Sequence, residues 1–138
     1  MGNSQSINYY INFEDMQTAI ANKEYIIINT LNVNQQECLI AGTLTLTNEE
    51  EILNTYLKTN ITIRIIVYGS NSNDITVKKK HEQLLALGFI NVFIYNGGLF
   101  EWLLLQDIYG SELFLTTKQE RDILKYKGRQ VFNSRLIE

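Results

Sequence analysis

The sequence contains no proline, one cysteine (Cys38) and one histidine (His81) among its 138 residues. A single cysteine excludes an intramolecular disulfide and a cysteine-based metal cluster within one chain, which favours an intracellular, cytoplasmic protein. The formal net charge of -3 leaves no excess of Lys and Arg for neutralising phosphates, so we expect no nucleic-acid partner. No apolar run approaches the roughly 18 residues of a membrane-spanning helix. No motif for a metal ion or another cofactor is present, and we expect neither.

The whole sequence is 45% hydrophobic and 20% charged, a composition typical of one ordinary globular domain. Short β-branched stretches alternate with helical patterns along the chain, which predicts βα units. The clearest strands are "EYIIINTL", "ITIRIIVY" and "INVFIYN", and the clearest helix is "DITVKKKHEQLLALG". The predicted fold class is therefore α/β, with a central, mainly parallel β-sheet flanked by helices.

Local signals predict the helix boundaries and the organisation of the chain. Capping residues precede three helices: Asn12 or Asp15 the first, Thr47 the second, and Asp74 or Ser72 the third. "GGLFEWLLLQDIYG" predicts a turn and a mostly buried helix, and "TTKQERDILKYKG" predicts a final helix with a polar face. We therefore divide the chain into an N-terminal arm (1–10), a domain (11–115) and a C-terminal helix and tail (116–138).

The stretch "IIVYGSNSNDITVKKKHEQLLALGFINVFIYNGGLFEW" carries ordered landmarks: Leu87, Gly88, Phe89, Asn91, Val92, Gly97, Gly98 and Trp102. This order of strand, loop, helix, "LGF-x-NV", strand, "GG" and Trp resembles the rhodanese domain family. The first half is similar more loosely, with "EYIIINTL" in place of a strand that ends in an Asp and Arg pattern and "LIAGTL" in place of "HIPGA". The resemblance runs from about Phe13 to Leu105 and implies a rhodanese-like domain.

The resemblance also implies that one loop is the counterpart of the family's active-site loop: Gly69, Ser70, Asn71, Ser72, Asn73 and Asp74. In the family's sulfurtransferases this loop resembles Cys-x-x-x-x-Arg, with a thiolate to accept sulfur and an arginine to hold the anion. Alignment on the strand puts Gly69 at the cysteine and Asp74 at or beside the arginine. Counting back from "LGF" puts the nucleophile nearer Ser72. Neither alignment gives a cysteine, so we expect no catalytic residue in this loop.

Two functions follow as alternatives. The first is a catalytically inactive rhodanese-like domain that acts as a binding or regulatory module for a protein partner. The second is a divergent thiosulfate or persulfide sulfurtransferase, which would use Cys38 or whose loop cysteine is replaced in this sequence. A lone cysteine is typically an inert, semi-buried residue. We expect His81 and the neighbouring Lys78, Lys79 and Lys80 to lie on a solvated helix face. The alternative is that the three lysines draw an anion weakly toward the helix N-terminus.

The first six residues, "MGNSQS", fit the N-myristoylation pattern M-G-x-x-x-[ST]. Gly2 would be the acceptor after removal of Met1, and Ser6 occupies the favoured position. A Met-Gly start also arises from cloning, which the sequence leaves open. One myristoyl chain gives only marginal membrane binding, so the predicted contact is a reversible membrane association.

Overall fold

The computed structural model describes residues 8–132, which fold around a four-stranded β-sheet. The strands are β1 Tyr10–Ile11, β2 Tyr25–Asn29, β3 Arg64–Tyr68 and β4 Asn91–Tyr95. Their order in the sheet is β1-β4-β3-β2, and each neighbouring pair is parallel. The predicted α/β class with a mainly parallel sheet is confirmed. All strands therefore end at the same edge of the sheet.

Helices cover both faces of the sheet: α1 Phe13–Ile20, α2 Leu46–Thr59, α3 Ile75–Leu87 and α4 Gly98–Tyr109. The helices α1 and α4 pack on one face, where Trp102 is fully buried, and α2 and α3 pack on the other, around Leu84. Successive β2 side chains point to opposite faces, so Ile27 belongs to the first cluster and Ile28 to the second. None of the helices within residues 8–132 has both the length and the apolar character needed to cross a bilayer.

The predicted caps of α1 and α3 are confirmed, and the predicted cap of α2 is wrong. Asn12 Oδ1 accepts the Asp15 N–H at 3.0 Å, and Asp15 Oδ2 accepts the Asn12 N–H at 3.2 Å, which forms a capping box. Asp74 caps α3. The helix α2 begins after Thr45 rather than Thr47, and the hydroxyls of these two residues bond to each other at 3.2 Å instead of capping the backbone.

The predicted final helix over "TTKQERDILKYKG" is wrong. Only one 3-10 turn forms there, at Ile123–Tyr126. Thr117 donates its N–H to Leu39 O at 2.8 Å, and its hydroxyl donates to Glu37 O at 3.0 Å. These bonds extend the segment along the preceding loop, and Tyr126 is then buried in the core at 2% exposure. Tertiary contacts thus override the local helix propensity.

The predicted solvated position of His81 is also wrong. Its side chain is 5% exposed, its Nε2 lies 3.0 Å from Val92 O, and its ring stacks on Tyr9 with the centroids 4.3 Å apart. Tyr9 thus covers the His81 ring from outside α3, a contact that the helical pattern alone does not predict. Lys80 is half-buried and pairs with Glu49 at 2.5 Å, whereas the other two lysines of the run are exposed as expected.

Candidate functional site

The loop of residues 69–74 joins β3 to α3 at the edge where the parallel strands end, the edge at which α/β proteins commonly build their sites. The loop backbone is held by the first turn of α4. Leu99 donates its N–H to Gly69 O at 2.9 Å, and Phe100 donates to Ser70 O at 2.8 Å. These N–H groups have no acceptor inside their own helix. Main-chain bonds therefore hold the carbonyl groups of Gly69 and Ser70 in place.

Gly98 allows α4 to approach the loop this closely. Its φ of +69° lies in the left-handed region that favours glycine. A Cβ at Gly98 would lie 2.7 Å from Gly69 O and 2.9 Å from Asn71 N, both of which are backbone atoms. The second glycine of the predicted "GG" turn is thus required for both its backbone conformation and its lack of a side chain.

The Asp74 carboxylate occupies the interior of the loop. Its Oδ2 accepts the Ser70 N–H at 2.9 Å, and its Oδ1 accepts the N–H of Thr76 at 3.1 Å and the Thr76 hydroxyl at 2.5 Å. Backbone N–H groups of a loop and of a helix N-terminus are the donors that bind external anions in other proteins. Here a carboxylate of the chain itself takes these donors.

Gly69, the position of the nucleophile in the strand-anchored alignment, has no room for a side chain. A Cβ at Gly69 would overlap Asp74 Oδ2, and it would lie 2.6 Å from Val77 Cγ2 and 2.8 Å from Thr30 Oγ1. Atoms of three neighbouring side chains therefore fill the space that the Cβ of a cysteine at this position would need.

Ser72, the position of the nucleophile in the other alignment, is exposed at the outer part of the loop. It does not cap α3, because Asp74 does so. Within residues 8–132, its hydroxyl has no hydrogen bond to a histidine or a carboxylate that would activate it. The histidine, His81, is buried against β4 instead.

Cys38 lies in the core cluster together with Leu39 and Phe114, and its side chain is 4% exposed. Burial raises the pKa of the Cys38 thiol, which disfavours the thiolate that sulfur chemistry requires. Cys38 does not line the loop or the cleft beside it. The two sequence features that bear on sulfur transfer, the loop and the cysteine, are therefore not brought together.

A cleft of about 550 Å³ opens beside the loop. Its walls are residues 30–35 after β2, residues 70–76 and a segment that we call the C-terminal strap, residues 126–131. Asn71 Nδ2 donates to Tyr126 O at 2.9 Å and ties the strap to the loop. The strap contributes Lys127 and Arg129 to the lining. Within the part of the chain that the structure describes, no three His, Cys, Asp or Glu side chains are grouped to hold a metal ion.

The sequence interpretation did not single out Lys127 and Arg129. They lie in the predicted C-terminal helix and tail, far along the sequence from the loop that they face. The only local signal is "KGR", in which Gly128 passes close to the loop: a Cβ at Gly128 would lie 3.3 Å from Asn73 Nδ2. Such a short pattern does not identify its neighbours without the fold.

A parallel sheet covered on both faces, with a tight strand–loop–helix connection at its carboxyl edge, places the protein among the α/β proteins of this architecture. The family model for the rhodanese-like domain matches residues 13–105. The chain therefore belongs to the rhodanese-like domain family, and the predicted extent of the resemblance is confirmed.

Solved structures show the same fold. The BH2092 protein from Bacillus halodurans superposes with a TM-score of 0.62 at 16% identity, covering 98% of this chain and 93% of its own. The Alr3790 protein from Anabaena sp. gives a TM-score of 0.54 at 17% identity, covering 72% and 88%. A full-length protein from Lactobacillus plantarum gives 0.56 at 15% identity, covering 75% and 88%. The comparison with curated proteins found no match.

Proposed function

We propose that this protein is a catalytically inactive rhodanese-like domain that acts as a binding or regulatory module for a protein partner. The observation that carries the proposal is the Asp74 carboxylate, which fills the space beside Gly69 and takes the Ser70 N–H. Sulfur transfer needs a thiolate and free donors for the substrate anion. The loop offers no thiol, and its donors hold an internal carboxylate.

Cys38 is the alternative sulfur carrier, and its surroundings argue against that role. The thiol is buried, its pKa is raised by burial, and it lies outside the cleft. A persulfide on Cys38 would form and discharge only if the core opened to admit both thiosulfate and the acceptor. The divergent sulfurtransferase therefore requires an opening of the core that the inactive module does not.

The test is incubation of the full chain with thiosulfate, followed by an intact mass spectrum and a thiocyanate assay with cyanide as the acceptor. We expect an unchanged mass and thiocyanate at the level of the protein-free blank. A sulfurtransferase that has a loop cysteine is the positive control. A gain of one sulfur atom that is lost on reduction, and is absent in Cys38→Ser, would overturn the proposal.

The membrane contact is a separate part of the proposal. We propose a cytoplasmic protein that associates reversibly with membranes through a myristoyl group on Gly2. This part depends on the sequence pattern alone, since Gly2 lies outside the described residues. It stays a prediction, and detection of a myristoyl group on Gly2 would test it directly.

A further inference from the structure

We propose that the cleft between the loop of residues 69–74 and the C-terminal strap binds an acidic, partly apolar peptide segment of a partner protein. The inference rests on the proposed function, because it describes the partner of the proposed binding module. It concerns the cleft beside the loop and not the interior of the loop, which Asp74 fills.

The charge of the cleft lining is the first reason. Lys127 and Arg129 line the cleft, both residues are exposed, and neither forms an ion pair within residues 8–132. Asp74 is the one acidic residue of the lining, and its carboxylate accepts bonds from Ser70 and Thr76. The cleft is therefore a locally cationic surface on a chain of formal net charge -3. Such a surface is complementary to an acidic partner.

The attachment of the strap is the second reason. Tyr126 is 2% exposed within the core, and its carbonyl accepts the bond from Asn71. Lys127 and Arg129 follow this anchor directly, so they are held beside the loop rather than on a free tail. The strap also lies outside the family match of residues 13–105. The cationic lining therefore comes from residues beyond those that the family model matches.

The apolar rim of the cleft is the third reason, and it determines the kind of anion. Ile75 is 69% exposed and Val131 is 63% exposed, and both line the cleft. Exposed apolar side chains gain free energy only when a partner covers them. A small inorganic anion would leave them in water. A peptide that alternates acidic and apolar residues would pair with the two cations and cover the rim together.

The test uses the full chain and three fluorescein-labelled peptides of about eight residues, a length chosen to span several contacts at once. All three contain the same leucines, and their other positions are glutamate, glutamine or lysine. Fluorescence anisotropy at low salt measures the dissociation constants. We expect the glutamate peptide to bind at least about tenfold more tightly than the other two. Its binding should weaken as salt is raised, because salt screens the attraction between exposed charges.

Charge-reversal variants locate the binding. Lys127→Glu combined with Arg129→Glu should weaken the glutamate peptide by about tenfold or more. Lys23→Glu combined with Lys58→Glu is the matched control, since it makes the same charge change at exposed positions that do not line the cleft. Circular dichroism checks that both variants are folded. We expect the control to bind within about twofold of the unmodified protein.

A second pair of variants tests the apolar rim. Ile75→Ser should weaken the glutamate peptide by about fivefold, because it removes apolar surface that the peptide would cover. Ile108→Ser is the control, since Ile108 is 68% exposed and lies in α4 outside the cleft. We expect no change in binding for this control.

Each outcome decides between clear alternatives. No binding of the glutamate peptide, equal binding by both charge variants, or strap-dependent binding to phosphatidylserine vesicles without peptide binding would each overturn the inference. In these cases the inactive-module function is unaffected if thiocyanate formation stays at the blank. Thiocyanate formation together with peptide binding would overturn the proposed function and leave the cleft assignment intact.

Discussion

The backbone frame of the loop and the interior of the loop are neighbouring regions that are stabilised in different ways. The frame depends on main-chain bonds from Leu99 and Phe100 and on the missing side chain of Gly98. The interior depends on one side chain, Asp74. Because the frame needs no thiol and no arginine, a chain can adopt the rhodanese-like fold without the groups that the family's sulfur chemistry requires. The fold and the chemistry of the loop are therefore separable.

The largest expected effect comes from breaking the frame with Gly98→Ala. The new methyl group would meet three backbone atoms of the loop within 3 Å, in a left-handed conformation. We expect the free energy of unfolding to fall by about 3–4 kcal/mol, the sum of backbone strain and overpacking. Urea unfolding measures the loss.

Gly42→Ala is the control for the frame. Gly42 also has a positive φ, of +88°, but a Cβ there would make only an ordinary 3.6 Å contact with Ile27. Strain alone should cost about 1–2 kcal/mol. Equal losses for the two variants would show that the close approach of Gly98 to the loop does not matter.

The next largest loss of stability is expected for Gly69→Cys, which tests whether the interior of the loop can accept a thiol. Gly69→Cys places a thiol at the strand-anchored nucleophile position, where Asp74, Val77 and Thr30 already fill the space. We expect a loss of about 2 kcal/mol from overpacking and no thiocyanate formation from thiosulfate and cyanide. The double variant with Asp74→Ala should lose less stability than the sum of the single changes, because the two residues contact each other. Sulfur transfer by Gly69→Cys alone would contradict this account of the loop.

A smaller effect is expected for Cys38→Ser. The thiol is buried, so a hydroxyl in its place should cost about 1 kcal/mol of unfolding free energy. Binding of the glutamate peptide should be unchanged, since Cys38 does not line the cleft. A gain of one sulfur atom from thiosulfate that the original chain shows and the folded Cys38→Ser protein does not would favour the sulfurtransferase alternative.

Gly2→Ala should leave the free energy of unfolding unchanged and move any membrane-associated fraction to the cytosol. The reason is that alanine cannot accept the myristoyl group that the N-terminal pattern predicts. Fractionation of eukaryotic cells expressing the two forms measures the shift, and an intact mass spectrum shows whether Gly2 is acylated. An identical distribution of the two proteins would remove the membrane contact from the proposal.

Much of the fold was predictable because its signals are local. The β-branched stretch of β3 specifies a strand, and the capping group of Asp74 specifies a helix start. The glycine pair at the start of α4 specifies a turn, and each of these signals spans only a few residues. Their order along the chain was enough for the family resemblance. The helix predicted near the C-terminus was wrong for the opposite reason. The conformation there depends on contacts with residues distant in the sequence, since Thr117 bonds to Leu39 and Tyr126 packs in the core.

The candidate site was only partly predictable. The position of the loop followed from the strand and helix around it, and its lack of cysteine could be read directly. The sequence predicts Asp74 as a cap and as the residue at or beside the arginine position, but no local pattern indicates that its carboxylate turns into the loop and accepts the Ser70 N–H. The burial of His81 under Tyr9 was missed because the cover comes from another element.

By itself, the sequence determined the α/β class, the family and the lack of a loop thiol, because each depends on residue type and on spacing over short distances. The tertiary structure alone decided that Asp74 fills the space beside Gly69, that Cys38 is buried apart from the loop, and that the strap brings two cations to the cleft. These features depend on which distant segments meet at the carboxyl edge of the sheet. Packing and hydrogen bonds between those segments fix them, and no local pattern encodes them.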